Sequence, residues 1–169
     1  SEDNIRDISI ARQENGAWVS APVAHDGWYI TGCPVNGPAI AAAYDVVAVA
    51  WFSAVPVNSV RVAFSFDGGR SFAAPVDVSQ DSPAGRVDLV VDAAGNAIVS
   101  WLSRAQEGFV YRSVQPSGEM GKIHLVAPMA SHRNSGFPRM VQSGDRLIFA
   151  WTDSLADIPT VRSMSLSGG

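Results

Sequence analysis

Three tryptophans, Trp51, Trp101 and Trp151, stand 50 residues apart in a chain of 169, and each completes the same short pattern. The segments read VVAVAWFSA, NAIVSWLSR and RLIFAWTDS. In each, apolar residues lead to a small residue and then to Trp. A turn comes first every time: Tyr44-Asp45 before Val46, DAAGN before Ala97 and SGDR before Leu147. A fixed period of this length marks a repeat array, in which one unit buries its apolar surface against the next.

The period has an internal order. In the middle repeat, GRVDLVVD (85–92) alternates as a strand does, AAGN turns it, and NAIVSWLS (96–103) follows as a second strand. GFVYRSV (108–114) is a third, QPSGEMG turns again, and KIHLVA (122–127) is a fourth. Four antiparallel strands per repeat make one blade of a β-propeller. The preceding repeat reads the same way through PAIAAAY, VVAVAWFS, SVRVAFS and FAAPVDV. The 15 Gly and 10 Pro fall at the breaks, as many short strands require.

The expected fold is therefore all-β, a β-propeller of four-stranded antiparallel blades in an incomplete ring. Residues 1–24 end one blade, 38–79 and 85–128 are full blades, and 137–169 form a blade lacking its last strand. A ring takes about four to eight blades. The remaining blades of the same protein, or another copy, are expected to complete it.

Composition excludes several roles. The net charge is -4, Lys122 is the only lysine, and no basic stripe exists, which argues against nucleic-acid binding. The apolar runs are too short to span a membrane. Cys33 is the single cysteine, so no internal disulfide forms. His25, Asp26 and His132 do not make a metal-ligand spacing, and no cofactor is implied.

One turn is more specific. In AFSFDGGRSFAAP (63–75), Asp67 is placed to bond the amides of its own turn, and glycine supplies positive φ without a steric penalty. Phe72 is placed to pin the fourth strand. An ordinary Asp-Gly hairpin is the simpler alternative. Ser65-Phe66-Asp67-Gly68-Gly69-Arg70-Ser71-Phe72 nevertheless resembles, position for position, the Asp-box or BNR repeat of sialidase-like propellers: Ser/Thr-x-Asp-x-Gly-x-Thr/Ser-aromatic. QENGAW (13–18) keeps the Gly and the aromatic, and QPSGEMG (115–121) keeps only Gly. The resemblance implies a bacterial, sialidase-like propeller, six-bladed when complete, of which this chain is a C-terminal portion. It also implies export to the periplasm or medium. Ser65, Asp67, Gly69 and Phe72 would then be structural and would lie on the face away from any catalytic centre.

Propeller sites lie where the connectors between blades and the turns between strands two and three meet. The connectors here are AHDGWYITGCPVNGP, SQDSPAGR and APMASHRNSGFPR. The ligand-binding candidates in them are His25, Asp26, Asn36, Arg86, Arg133 and Arg139. Arg86 and Arg139 each stand at the start of an innermost strand, and a guanidinium fork suits a carboxylate or phosphate. Pairing with Asp88 or Asp145 is the alternative use. The resemblance implies a role in gripping a sialic-acid carboxylate. In GCPVNGP (32–38) two Gly and two Pro fix a tight loop that displays Asn36 or Cys33. A nucleophilic Cys33 would need His25 or His132 as base, and a buried inert thiol is the simpler reading. The repeated tryptophans read as core between blades, not as a sugar platform.

Two functions follow. One is a non-catalytic module that binds a glycan or another acidic small ligand at the channel face. The other is part of an exo-sialidase or related glycoside hydrolase whose remaining catalytic residues lie outside this chain. Retaining sialidases pair a Tyr with a Glu and use an Asp and three arginines. No Arg-Ile-Pro motif is present. Tyr29, Tyr44 and Tyr111 have no glutamate in a connector to pair with.

Overall fold

The computed structural model of the chain describes residues 4–32, 35–131, 135–153 and 158–167. Thirteen strands form four antiparallel sheets, and no α-helix occurs among the described residues. The first sheet pairs β1 (Ile8–Glu14) with β2 (Ala17–Ala24). The second runs β3 (Ala39–Ala43), β4 (Val46–Ser53), β5 (Ser59–Ser65), β6 (Val76–Ser79). The third runs β7 (Pro83–Val91), β8 (Ala97–Ser103), β9 (Gly108–Val114), β10 (His124–Pro128). The fourth holds β11 (Arg139–Ser143), β12 (Arg146–Asp153) and β13 (Thr160–Ser167). Every sheet is a meander in chain order, as short turns between antiparallel strands dictate. The sheets are blades of an incomplete propeller.

Blade packing follows from the two-residue side-chain period of a strand. Along β4, Val49 and Trp51 face the first sheet and join Val23, Ala24 and Ala63. Ala48 and Ala50 point the other way, into a cluster with Leu89, Val99 and Trp101 of the third sheet. Leu102 and Phe109 of the third sheet meet Met140 and Phe149 of the fourth, with the Phe109 and Phe149 rings edge-on at 5.8 Å. Trp51 and Trp101 thus each face back onto the preceding blade and are buried, at 1% and 0% exposure. A full-sized indole at such a position stabilises the fold by several kcal/mol, about 3–5 if truncated to Ala. Trp151 is half-buried and packs on the cluster between the third and fourth sheets.

The central strand β7 lies against β3 and β4 on one side and β11 on the other. That places the three innermost strands, β3, β7 and β11, side by side along the channel. The starts of β6 and β7 differ most from the sequence reading. β6 begins only at Val76, because the 66–75 segment is held as a loop, and Phe72 packs toward the first sheet beside Ile8 and Ile10. β7 begins earlier, at Pro83, because its register is broken twice before Asp88.

Candidate functional site

The meander sends all connectors, and the turns between second and third strands, to one end of the blades. Arg86 sits there, in the irregular start of β7. Gly85 and Arg86 both take positive φ, +83° and +60°. This double reversal turns the Arg86 main-chain N–H outward, where the side-chain oxygen of Asn36 accepts it at 3.1 Å. The same oxygen accepts Arg86 Nη1 at 2.9 Å. Arg86 Nε donates to the carbonyl of Gly136 at 3.1 Å, and the guanidinium carbon stands 4.7 Å from the centre of the Phe137 ring. Asn36, Arg86 and Gly136 are 50 residues apart and therefore occupy one repeat position in three successive blades. Arg86 is only 8% exposed and ties those blades together across the channel mouth. Gly85 is required here, since its φ is positive and a Cβ on it would collide with the Asn36 amide.

Arg139 is arranged differently. Its Nε lies 3.2 Å from Asp88 Oδ2, and its side chain is 75% exposed. Asp88 itself is buried at 4% exposure. Its Oδ2 also accepts the Met140 N–H at 2.7 Å, and its Oδ1 accepts the Leu89 N–H at 3.0 Å. A buried carboxylate, fixed by two amides, thus forms an ion pair with an exposed guanidinium. The terminal nitrogens of Arg139 have no partner among the described residues. Phe137, 58% exposed, stands two residues before it.

His25 and Asp26 belong to a separate cluster at the start of the first connector. Asp26 Oδ2 accepts the Trp51 indole N–H at 2.7 Å, and Oδ1 accepts Arg61 Nη1 at 2.6 Å. Arg61 also donates from Nε to Asp77 at 2.9 Å and from Nη2 to the Val55 carbonyl at 3.2 Å. Burial works against the Arg61 charge. Its bonds to Asp77 and the Asp26 carboxylate outweigh that and hold its pKa above the ordinary value. The side chain of Asp26 is 5% exposed, so the group latches the first connector onto β4 and β5. His25 is mostly exposed, with Nδ1 3.2 Å from Asp7. Arg133, Cys33 and His132 lie outside the described residues.

At the opposite end of the blades, the Ser65–Phe72 turn is closed on itself. Asp67 Oδ1 accepts the Ser65 hydroxyl at 2.7 Å and the amides of Arg70 and Ser71 at 2.8 and 3.0 Å. Its Oδ2 accepts the Ser71 hydroxyl at 2.6 Å. Ser65 Oγ in turn accepts the Gly69 N–H at 2.8 Å. The hydroxyl and then the amide of Ser71, with Ser65 and Arg70, hold the Asp67 carboxyl far below the usual carboxylate range. The turn also joins blades: Arg12 Nη1 donates to the Gly69 carbonyl at 3.1 Å, and Glu14 bridges Arg12 and Arg70.

Three residues on the connector face escaped the sequence reading. Arg61 was hidden by its place in the middle of an ordinary strand. Phe137 precedes a proline in a stretch that reads as a strand start. Glu107 lies in the turn between β8 and β9, with positive φ (+50°), and its carbonyl accepts the Met129 N–H of the next connector at 3.0 Å. Only the meander topology, which brings that turn and the connectors to one end, signals Glu107.

No protein-family model and no curated protein sequence matches the chain. Solved structures do share its fold. A Hadza microbial sialidase superposes with a TM-score of 0.54 at 15% identity, over 94% of this chain and 38% of that one. A variant of the NanB sialidase from Streptococcus pneumoniae gives 0.57 at 12% identity, over 90% of this chain and 26% of that one. An alpha-L-arabinofuranosidase from Clostridium thermocellum gives 0.57 at 14% identity, over 98% and 59%. This chain spans between 26% and 59% of the length of these proteins. Identities this low establish the fold alone: an all-β, incomplete propeller of the kind on which sialidases and other glycoside hydrolases are built.

Proposed function

We propose that this propeller portion binds a carboxylate-bearing glycan at the connector face without itself hydrolysing it. The observation that carries the reading is Arg139: an exposed guanidinium that stands within ion-pair distance of buried Asp88, with its terminal nitrogens free among the described residues. The planar guanidinium fork presents its terminal nitrogens in the geometry a carboxylate accepts. Phe137 offers an exposed ring beside it for the apolar face of a sugar. Arg86, Asn36 and Gly136 set the rigid rim on which both stand. The closed Ser65–Phe72 turn supports the likeness to an Asp-box, and with it the likeness to exported, periplasmic or secreted, bacterial propellers. Among the described residues, Asn36, the Gly136 carbonyl and Phe137 meet Arg86, and Asp88 meets Arg139; these are groups that build a binding rim, and they support the binding reading.

The second reading, a portion of an exo-sialidase or related hydrolase with further catalytic residues elsewhere, is favoured by neighbours whose names include sialidases and an arabinofuranosidase. Calorimetric titration with N-acetylneuraminic acid, glucuronic acid and neutral galactose tests the first. Binding of an acidic sugar that Arg139→Ala abolishes supports it. Equal affinity in wild type and Arg139→Ala overturns it. Release of sugar from a fluorogenic sialoside by the chain itself moves the conclusion to the second reading.

A further inference from the structure

The turn between β8 and β9 and the first residues of the connector after β10 line a solvent-open pocket of about 500 Å³ on the connector face. Ser103, Arg104 and Glu107 form one wall, and Pro128, Met129 and Ser131 the other. This is within the usual range for a small-molecule site, roughly 300–1,000 Å³. Its frame is fixed by the main chain. The Glu107 N–H donates to the Arg104 carbonyl at 3.2 Å, and the Glu107 carbonyl accepts the Met129 N–H at 3.0 Å. The Arg104 N–H donates to the Ser82 carbonyl at 3.0 Å, and Arg104 Nη1 donates to the Pro83 carbonyl at 3.1 Å. Ser103 Oγ accepts the Gln106 N–H at 3.1 Å.

Two opposite charges line this cavity without pairing. No ion pair joins Arg104 to Glu107, and the Glu107 carboxylate has no partner among the described residues. Each charge rejects one class of ligand. A metal ion or an ammonium meets Arg104, and an anion meets Glu107. A neutral molecule rich in hydroxyls meets neither penalty. Its hydroxyls donate to the carboxylate and accept from the guanidinium, and both bonds are charge-assisted. Pro128, which is exposed, offers apolar surface to C–H groups.

We propose that this cavity is a binding subsite for one neutral pyranose unit of a carbohydrate. Glu107 accepts from a pair of neighbouring hydroxyls. Arg104 donates through the nitrogens that Pro83 does not use. The subsite stands on the 103–131 cavity alone and does not depend on Arg139.

The test is an amide-resolved NMR titration of the 169-residue chain with methyl glucoside, methyl mannoside and methyl galactoside. Glycine and acetate serve as zwitterionic and anionic probes. The expected result is that at least one glycoside shifts the amides of residues 103–107 and 129–131, and that Glu107→Asn weakens it about tenfold or more. Asn is chosen because it tolerates the left-handed backbone at this position. Arg139→Ala leaves the glycoside response unchanged while it removes any acidic-sugar response, so the two sites are read separately. The inference is overturned if no glycoside shifts these amides, if glycine or acetate shifts them instead, or if Glu107→Asn binds as wild type does. Should Glu107→Asn fail to fold, the wild-type shift map still decides.

Discussion

The side-chain oxygen of Asn36 accepts two hydrogen bonds from a single residue 50 positions later, the Arg86 main-chain N–H at 3.1 Å and Nη1 at 2.9 Å. Arg86 then reaches the Gly136 carbonyl, again 50 residues on. One side chain thus couples three blades at the channel mouth.

Asn36→Ala removes that acceptor and leaves two donors of a mostly buried residue without it. A loss of about 1–3 kcal/mol is expected, read as a lower urea midpoint at constant slope. Asn36→Asp keeps the acceptor and adds a charge facing the guanidinium, so it should stay within about 1 kcal/mol of wild type. Gly85→Ala should be the worst of the three. It drives a Cβ into the Asn36 amide at a backbone φ of +83°, so both strain and collision apply. Equal midpoints for Asn36→Ala and wild type would show that the row does not couple the blades.

Asp67 predicts a pH dependence. Its folded pKa lies below the unfolded value, so the ionised form is the one the fold stabilises. That contribution is fully present above the ordinary Asp range, near 4. It is lost progressively as pH falls toward the depressed folded value. The melting temperature of wild type should therefore drop more steeply on acidification from about pH 5 to pH 3 than that of Asp67→Ala. At neutral pH the variant should melt lower than wild type, and ligand binding at the opposite face should persist. Parallel acid profiles for the two proteins would rule out the turn carboxylate as a stabilising group.

The architecture was legible because burial acts at the same strand position in each repeat, and the 50-residue tryptophan spacing records it. The site was legible only in part. Arg86 and Arg139 look like equivalents in the sequence, each at the start of an inner strand. The repeat in fact aligns Arg86 with Asn36 and Gly136, and Arg139 with Ala39 and Leu89. A three-residue offset on a broken strand start separates a buried bridge from an exposed guanidinium. Asp26 was visible as a connector acid. Its bond to the Trp51 indole was not, because the two residues lie 25 positions apart and nothing in the local sequence fixes where the carboxylate points.

Asp88 and Arg139 separate stability from binding. Arg139 is three-quarters exposed, and its removal leaves the Asp88 carboxylate still bonded to the Leu89 and Met140 amides, so Arg139→Ala should cost no more than about 1 kcal/mol. Asp88→Ala strips acceptors from the Leu89 and Met140 amides, both in buried surroundings, and should cost about 1–3 kcal/mol or more. It should also weaken acidic-ligand binding by freeing the guanidinium. Thermal melts and titrations on both variants check this. A larger melting loss for Arg139→Ala than for Asp88→Ala would contradict it.

Trp51 and Trp101 occupy the same repeat position, and both are buried, yet only one indole N–H is satisfied. Trp51 Nε1 donates to Asp26 at 2.7 Å, whereas Trp101 Nε1 is buried with no partner among the described residues. Replacement by Phe removes a similar volume and the same donor from each. At Trp51 it also strands one oxygen of a carboxylate whose side chain is 5% exposed, with Arg61 left to hold the other. At Trp101 it deletes a donor that costs stability by being unsatisfied, which offsets part of the lost packing. Trp51→Phe should therefore destabilise more than Trp101→Phe, by about 1–3 kcal/mol. The comparison is made by urea unfolding of the two single variants and of Trp51→Phe combined with Asp26→Asn. The carboxamide there removes the stranded charge but leaves Arg61 with Asp77 as its one remaining carboxylate partner among the described residues, so recovery should be partial. A Trp101→Phe variant less stable than Trp51→Phe would mean that packing outweighs hydrogen-bond satisfaction at this repeat position.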